Sequence, residues 1–352
     1  MLATSAQGVA QRAFVHSPPL GNDANAASNC SLALPCRTFD VAIGVTQAGG
    51  EVVILDTAGY GAMTISQSLK VVAPAGVYGG ISVFGTGNGV TINAGDTDVV
   101  TLRGLDITGL PAPETPTFGI QIANAGTVHI EKASISNFTQ ETSACINLVS
   151  AKRISVAISD SFLRECRSGI FADGTGLDAT TRLQFAVDNT QIAHGLNTSG
   201  NGSIAINVQD GVVLTVRNSL IGGGGDGIYM KSTNPGAGTI VQIVGTEITR
   251  MVKGIETDGN QGLQLHVMSS QLWGNANAAL LHRRGSVFLT HSVVATNTNS
   301  LVDCGAGPGS VFSLAFDAST GSNAIYGNAE LGAAGVGPGC TAYITPTIIV
   351  GK

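Results

Sequence analysis

The chain has 352 residues, 11% of them charged, and a formal net charge of −6. Charge at less than half the roughly 25% of an average soluble protein, and acidic on balance, argues against the basic footprint of a nucleic-acid binder. No apolar run approaches the roughly 18 residues of a membrane span, and 48 glycines among frequent Val, Ile, Thr, Asn and Ser point to strands and turns.

Residues 1–10 end in small residues, Gly8 and Ala10, at the positions expected for the tail of a secretory signal whose basic and apolar parts are missing. An ordinary N-terminal segment is the alternative. Residues 11–50 read as an N-terminal loop and a capping helix. A stretch rich in Pro, Asn and Ser occupies 17–36. Thr38 then caps a short helix with Phe39, Ala42, Ile43 and Thr46 on one side, stopped by Gly49 and Gly50. Such a helix before a strand array serves as a lid, because an open end exposes backbone and core.

Residues 51–302 carry the strands, first at 52–55, 63–65, 69–72, 81–84 and 90–92. From residue 99 a repeat is legible. One aliphatic column falls at Ile107, Ile135, Leu163, Ile192, Ile221, Ile248, Leu272 and Val294, in steps of 28, 28, 29, 29, 27, 24 and 22. Two residues earlier runs a column of mostly small residues: Leu105, Ala133, Ser161, Thr190, Ser219, Thr246, Ser270 and Ser292. A "Gly-Ile" column reads Ile120, Ile146, Ile170, Ile206, Ile228, Ile255, Leu280 and Leu301, with period-two alternation after it. A third strand per repeat is led by pairs such as Leu183/Phe185 and Leu214/Val216. Three short strands per repeat, parallel from one repeat to the next, define an all-β parallel β-helix of about ten to eleven rungs. After Leu301 the pattern fades, and 303–352 reads as a C-terminal cap whose last strand is at 341–350.

The six cysteines fall as Cys30/Cys36, Cys145/Cys166 and Cys304/Cys340. Fifteen pairings are open in principle; the three sequential ones are favoured, with buried free thiols as the alternative. Pairing of this kind belongs to an oxidising compartment, which makes the protein secreted, periplasmic or cell-surface. No Cys-x-x-Cys or Cys/His spacing marks zinc, and no cofactor is expected.

The repeats, together with Pro35–Cys36–Arg37–Thr38–Phe39, the run 48–55 and Gly59–Tyr60–Gly61, resemble the right-handed parallel β-helix, pectin lyase-like superfamily. More narrowly, the chain resembles secreted bacterial β-helix repeat proteins of unassigned role. The resemblance implies the fold and leaves activity open, because enzymes, binding proteins and structural proteins share it. Of the polygalacturonase signature only His194–Gly195 is present, and there is no Asp-Asp. The clustered calcium-binding aspartates of pectate lyases are not evident. Gly222–Asp226 approaches a calcium nonapeptide, but the Asp comes one residue early and the motif occurs once; glycines in a tight corner explain it better.

Asp188 and Arg217 occupy equivalent positions and are expected to form a surface ion pair, beside an Asn189/Asn218 amide ladder. Trp273 is expected to pack over a corner. The outward rows of the Gly-Ile strands carry Phe171, Asn207, Tyr229 and Glu256, then Asp173, Lys231 and Asp258. Aromatic faces, amides and carboxylates on one sheet are the groups that hold sugar rings and hydroxyls. Glu256 and Asp258 stand two residues apart, ~6.5–7 Å by strand rise, near the separation used by inverting glycosidases, with Lys231 able to tune either. An ordinary solvated face is the alternative. Two functions follow as expectations. One is a non-catalytic β-helix that binds a polysaccharide or cell-surface glycan or serves as a surface or assembly component. The other is a polysaccharide lyase or glycoside hydrolase using Glu256, Asp258 and Lys231. So weakly charged a surface puts little repulsion between copies, which leaves a homo-oligomer or fibre open.

Overall fold

The computed structural model describes residues 10–178, 180–193, 202–233, 236–259, 262–282, 285–298 and 300–304, with the strands Phe312–Phe316, Ala324–Tyr326, Ala342–Ile344 and Ile348–Ile349. It divides into two compact units, 1–147 and 148–352.

In the first unit, Ala10–Val15, Thr46–Ile54, Leu69–Val72, Val99–Arg103 and Thr127–Glu131 pair in that order, all parallel. Elsewhere in the same coils Met63–Ile65, Asn88–Asn93 and Phe118–Asn124 pair in sequence, as do Gly79–Val83, Leu105–Gly109 and Ser134–Ser136. Each strand thus meets its equivalent one coil later, which is a parallel β-helix, and parallel crossovers of L-residues take the right-handed sense. Ala10–Val15, read from the sequence as leader tail and loop, is the first strand, with Ala13 and Val15 fully buried.

The lid helix is Phe39–Val45 and buries Phe39, Ala42, Ile43 and Val45. Its ends differ from the expectation. Thr38 occupies the N-cap without a side-chain cap bond; Asp23 Oδ1 instead accepts from the backbone N–H groups of Arg37 at 2.8 Å and Thr38 at 2.9 Å. The helix stops at Thr46, whose hydroxyl donates to the Ala42 carbonyl at 2.7 Å, and Gly49 and Gly50 lie in the strand that follows. A Cβ on Gly50 would stand 2.7 Å from the Gln11 carbonyl, so the first two strands pack only with glycine there. Below the lid, Asp56 accepts from Ser17 N–H at 2.9 Å and from the hydroxyls of Ser17 and Tyr60. Burial raises the Asp56 pKa, but these hydrogen bonds outweigh it and hold the carboxyl below its ordinary value. Cys30–Cys36 closes the adjoining loop, and Cys145 and Cys166 are bonded as the second pair. Cys340 and the Cys304 side chain lie outside the described residues.

In the second unit the corresponding sheet runs through Ser155–Ser159, Leu183–Asp188, Val212–Arg217, Ile240–Val244, Gln264–Met268, Gly285–Thr290, Phe312–Phe316 and Ala342–Ile344. Parallel strands therefore continue past residue 302. The aliphatic column is the strand register itself: Leu163, Ile192, Ile221, Ile248, Leu272 and Val294 are successive partners, each at most 1% exposed. Each contributes ~1.5–3 kcal/mol of burial.

The small-residue column is a hydrogen-bond ladder. Ser219 Oγ donates to the Arg217 carbonyl at 2.6 Å and accepts from Thr190 N–H at 3.2 Å. Thr190, Thr246 and Ser270 repeat both bonds with their own neighbours. Every member is buried, and two bonds per hydroxyl satisfy backbone groups that the turn removes from the sheet. The turn itself comes from the preceding residue, which is left-handed in each coil: Asp160, Asn189, Asn218, Gly245 and Ser269 at φ 51°, 45°, 48°, 58° and 49°. Outside it the expected amide ladder proves to be mixed. Asn189 Nδ2 donates to Asp160 Oδ1 at 2.6 Å and Asn218 Nδ2 to Asp188 Oδ1 at 3.0 Å. Asp188 thus takes an amide partner rather than Arg217, because the left-handed residue projects Asn218 back toward the previous coil.

The glycine of "Gly-Ile" also has a steric cause. A Cβ on Gly227 would lie 2.3 Å from the Gly254 carbonyl, and one on Gly254 would lie 2.5 Å from the Ala279 carbonyl. Here the coils approach too closely for a larger residue.

Candidate functional site

The Gly-Ile strands of the second unit are Ser168–Asp173, Ile204–Gln209, Leu220–Ser232, Glu247–Gly259 and Ala278–His282. In the third and fourth, the short strand and the Gly-Ile strand run on as one strand of 13 residues, past Gly222–Gly225 in the third and past Arg250, left-handed at φ 55°, in the fourth. Register aligns Phe171 with Asn207, Asn207 with Tyr229, and Tyr229 with Glu256. Two residues on, Asp173 aligns with Gln209 and Lys231 with Asp258. All seven residues singled out in the sequence therefore lie on one sheet in two adjacent rows.

Their exposure divides them. Phe171, Asp173, Tyr229, Lys231 and Asp258 are partly exposed, whereas Asn207 and Glu256 are buried. Tyr229 OH donates to Asp258 Oδ2 at 3.2 Å, which sets an aromatic ring against a carboxylate one coil away. Asn207 Oδ1 accepts from Gln209 Nε2 at 3.3 Å. Asp173 Oδ1 is taken by its own turn, accepting from the N–H and hydroxyl of Thr175 at 2.9 and 2.6 Å.

Glu256, only 3% exposed, belongs to a charge cluster that the sequence reading did not assemble. Lys253 Nζ donates to Glu256 Oε2 at 2.5 Å and to Asp226 Oδ2 at 3.4 Å. Asp226 and Lys253 are direct register partners, and the Asp226 carboxyl is also hydrogen-bonded to Glu256. Burial first, and the neighbouring Glu256 carboxyl second, push Asp226 up to about 6, while Lys253 pulls it the other way. For Lys253, burial favours the neutral amine, but Glu256 and Asp226 outweigh it and hold the ammonium above its ordinary pKa. The cation that reaches Glu256 is thus Lys253, three residues before it, and not Lys231. In the sequence Asp226 stands out only as the last residue of Gly222–Asp226, a stretch better explained as a tight glycine corner than as a calcium repeat. A usable signal existed: Asp226 and Lys253 both stand two residues before the buried aliphatic of the Gly-Ile column. Among the described residues, no group of three or more His, Cys, Asp or Glu is placed to hold a metal ion. His194–Gly195 lies outside the described residues.

At the end of the short strand Gln271–Trp273, Trp273 is 39% exposed rather than packed, and its indole N–H donates to Glu247 Oε1 at 2.9 Å.

No family model matches the chain, and no curated protein matches it. Among solved structures it is similar to pectate lyase Pel9A, at 13% identity over 95% of this chain and 83% of that one, with a TM-score of 0.48. It is similar to the Dettilon tailspike protein at 16% identity, over 90% and 62% of the two chains, with a TM-score of 0.48. The periplasmic alginate epimerase AlgG follows at 11%, over 80% and 77%, with a TM-score of 0.47. The fold is a right-handed parallel β-helix. That statement rests on the coil-to-coil register of this chain.

Proposed function

We propose that the protein is a secreted, non-catalytic β-helix that binds carbohydrate through the sheet face around Tyr229, Lys231 and Asp258. The observation that carries the reading is the state of Glu256. A carboxylate that attacks or protonates a polymer must reach it, yet Glu256 is 3% exposed and locked to Lys253 at 2.5 Å. What the face offers a ligand is the Tyr229 ring, the Asp258 carboxylate, the Lys231 ammonium in register beside it, and Phe171 two strands away. These are stacking and hydroxyl-binding groups. The bonded Cys30–Cys36 and Cys145–Cys166 pairs support an oxidising compartment. A surface so poor in charge supports a role as a surface or assembly component of the same kind.

One observation favours a second reading, a polysaccharide lyase or hydrolase. Asp226, held up to about 6, retains a proton close to neutral pH beside a second carboxyl, as a general acid does. One experiment separates the two. The purified protein is incubated with uronic-acid and neutral glycans, and binding, unsaturated products and new reducing ends are followed. Binding without turnover, weakened by Tyr229→Ala, is the expected result. Turnover abolished by Glu256→Gln would overturn the proposal. Sedimentation at high concentration tests assembly, and a strictly monomeric species counts against that role.

A further inference from the structure

A groove of about 640 Å³ runs along the other side of the short strands, over the turn that carries the hydroxyl ladder. Its floor is the ladder. One wall is the left-handed row Asp160, Asn189 and Asn218; the other is the first residue of each short strand, Phe162, Gln191, Leu220, Glu247 and Gln271 in successive register. Five strands at ~4.8 Å make it roughly 19 Å long, and its volume is that of a ligand site. Trp273 stands two residues beyond Gln271, on the same side of the strand by the period of two, with its indole oriented by Glu247.

We propose that this groove is a second binding site, distinct from the Tyr229 face, and that it takes a short uncharged oligosaccharide. Three features set the class. The walls set the amides of Gln191, Gln271, Asn189 and Asn218 beside the apolar Phe162 and Leu220, and Gln191 and Gln271 are exposed, so donors and acceptors for hydroxyls lie along the line. Trp273 gives the apolar face of a sugar ring a surface to stack on at one end. The lining carries the carboxylates of Asp160 and Glu247 and no lysine or arginine, which disfavours a uronate or other polyanion. An extended peptide fits less well. The strands under the groove are already paired on both sides, so no free edge is present for strand addition.

The chain contains one tryptophan, and its indole is bonded to the lining residue Glu247, so its fluorescence reports from the edge of this groove. Wild-type protein is titrated with neutral gluco-, galacto- and manno-oligosaccharides and with oligogalacturonate. A saturable shift in emission with a neutral oligosaccharide is expected. By calorimetry, Trp273→Ala should weaken that binding about tenfold or more and Gln191→Ala a few-fold. The proposal is overturned if no neutral oligosaccharide moves the emission, or if only oligogalacturonate does. It is overturned equally if the emission changes on dilution of the protein alone, because the groove then receives a second copy. The wild-type titration decides even where a variant fails to fold, and loss of binding at Tyr229 leaves this site standing.

Discussion

Replacing Asp226 with asparagine should make the protein more stable at neutral pH, although it removes a hydrogen-bonded, largely buried side chain. The cluster sets two carboxyls, Asp226 and Glu256, against one ammonium, Lys253. Asp226 is raised from 3.8 to about 6, so the folded state binds more protons than the unfolded chain between those values. The stability contributed by that proton is fully present below about 3.8 and is lost as pH rises through about 6. About two pKa units at 1.36 kcal/mol each give an upper figure near 3 kcal/mol; partial exposure and coupling to Glu256 reduce it to about 2 kcal/mol. Asparagine does not titrate and leaves Glu256 and Lys253 as a one-to-one pair. Relative to wild type, the variant should gain about 2 kcal/mol between pH 4 and 7.

The assay is urea unfolding of both proteins at pH 4, 5, 6 and 7, read as midpoints at constant slope. Curves that stay parallel across this range would refute the reasoning, because the Asp226 proton would then be bound equally in both states. Lys253→Met gives the opposite sign. It leaves two buried carboxyls without a cation, costs about 3–5 kcal/mol at pH 7, and should recover as the pH falls.

Three further outcomes test the fold. Ser219→Ala removes the donor to the Arg217 carbonyl and the acceptor for Thr190 N–H, so about 1–3 kcal/mol should be lost in urea unfolding; Ser219→Thr should cost little, since Thr190 and Thr246 hold the same ladder position. Gly227→Ala places a Cβ 2.3 Å from the Gly254 carbonyl and 3.0 Å from Ile248, and should lower stability by roughly 1–3 kcal/mol or more, read as a fall in thermal midpoint. Cys30→Ser with Cys36→Ser opens a loop of sequence separation 6, which by chain entropy is worth about 2 kcal/mol, and limited proteolysis should then cut first within 17–36.

What was legible in the sequence is what every coil must solve in the same way. The column from Leu163 to Val294 repeats because each aliphatic stacks on its own equivalent, and that stacking is the register found in the structure. The small column repeats because one hydroxyl must serve two backbone groups after a left-handed residue. The helix was legible from its apolar side, but its ends were not. Asp23, fifteen residues upstream of Thr38, supplies the acceptor, and no local pattern announces so distant a partner. The strand Ala10–Val15 was missed for the same reason, since it is defined by pairing with Thr46–Ile54 rather than by a repeat of its own.

The candidate site was legible to the extent that register alone determines it. Phe171, Asn207, Tyr229 and Glu256 do form one row, as alternation required. Alternation also predicts that outward residues meet solvent, and there it stops being a guide. Asn207 and Glu256 point away from the aliphatic columns and are buried nonetheless. In a solenoid a row can be closed over by the long side chains of the next coil, and only their reach decides it. Lys253 reaches Glu256 across three residues of its own strand and Asp226 across one coil, a triangle that follows no period. The hydroxyl column changes little from coil to coil because the fold depends on it. The row of Phe171, Asn207, Tyr229 and Glu256 changes character at every coil, and so does the groove wall of Phe162, Gln191, Leu220, Glu247 and Gln271. At constant register, that variation marks positions that the fold leaves free for chemistry.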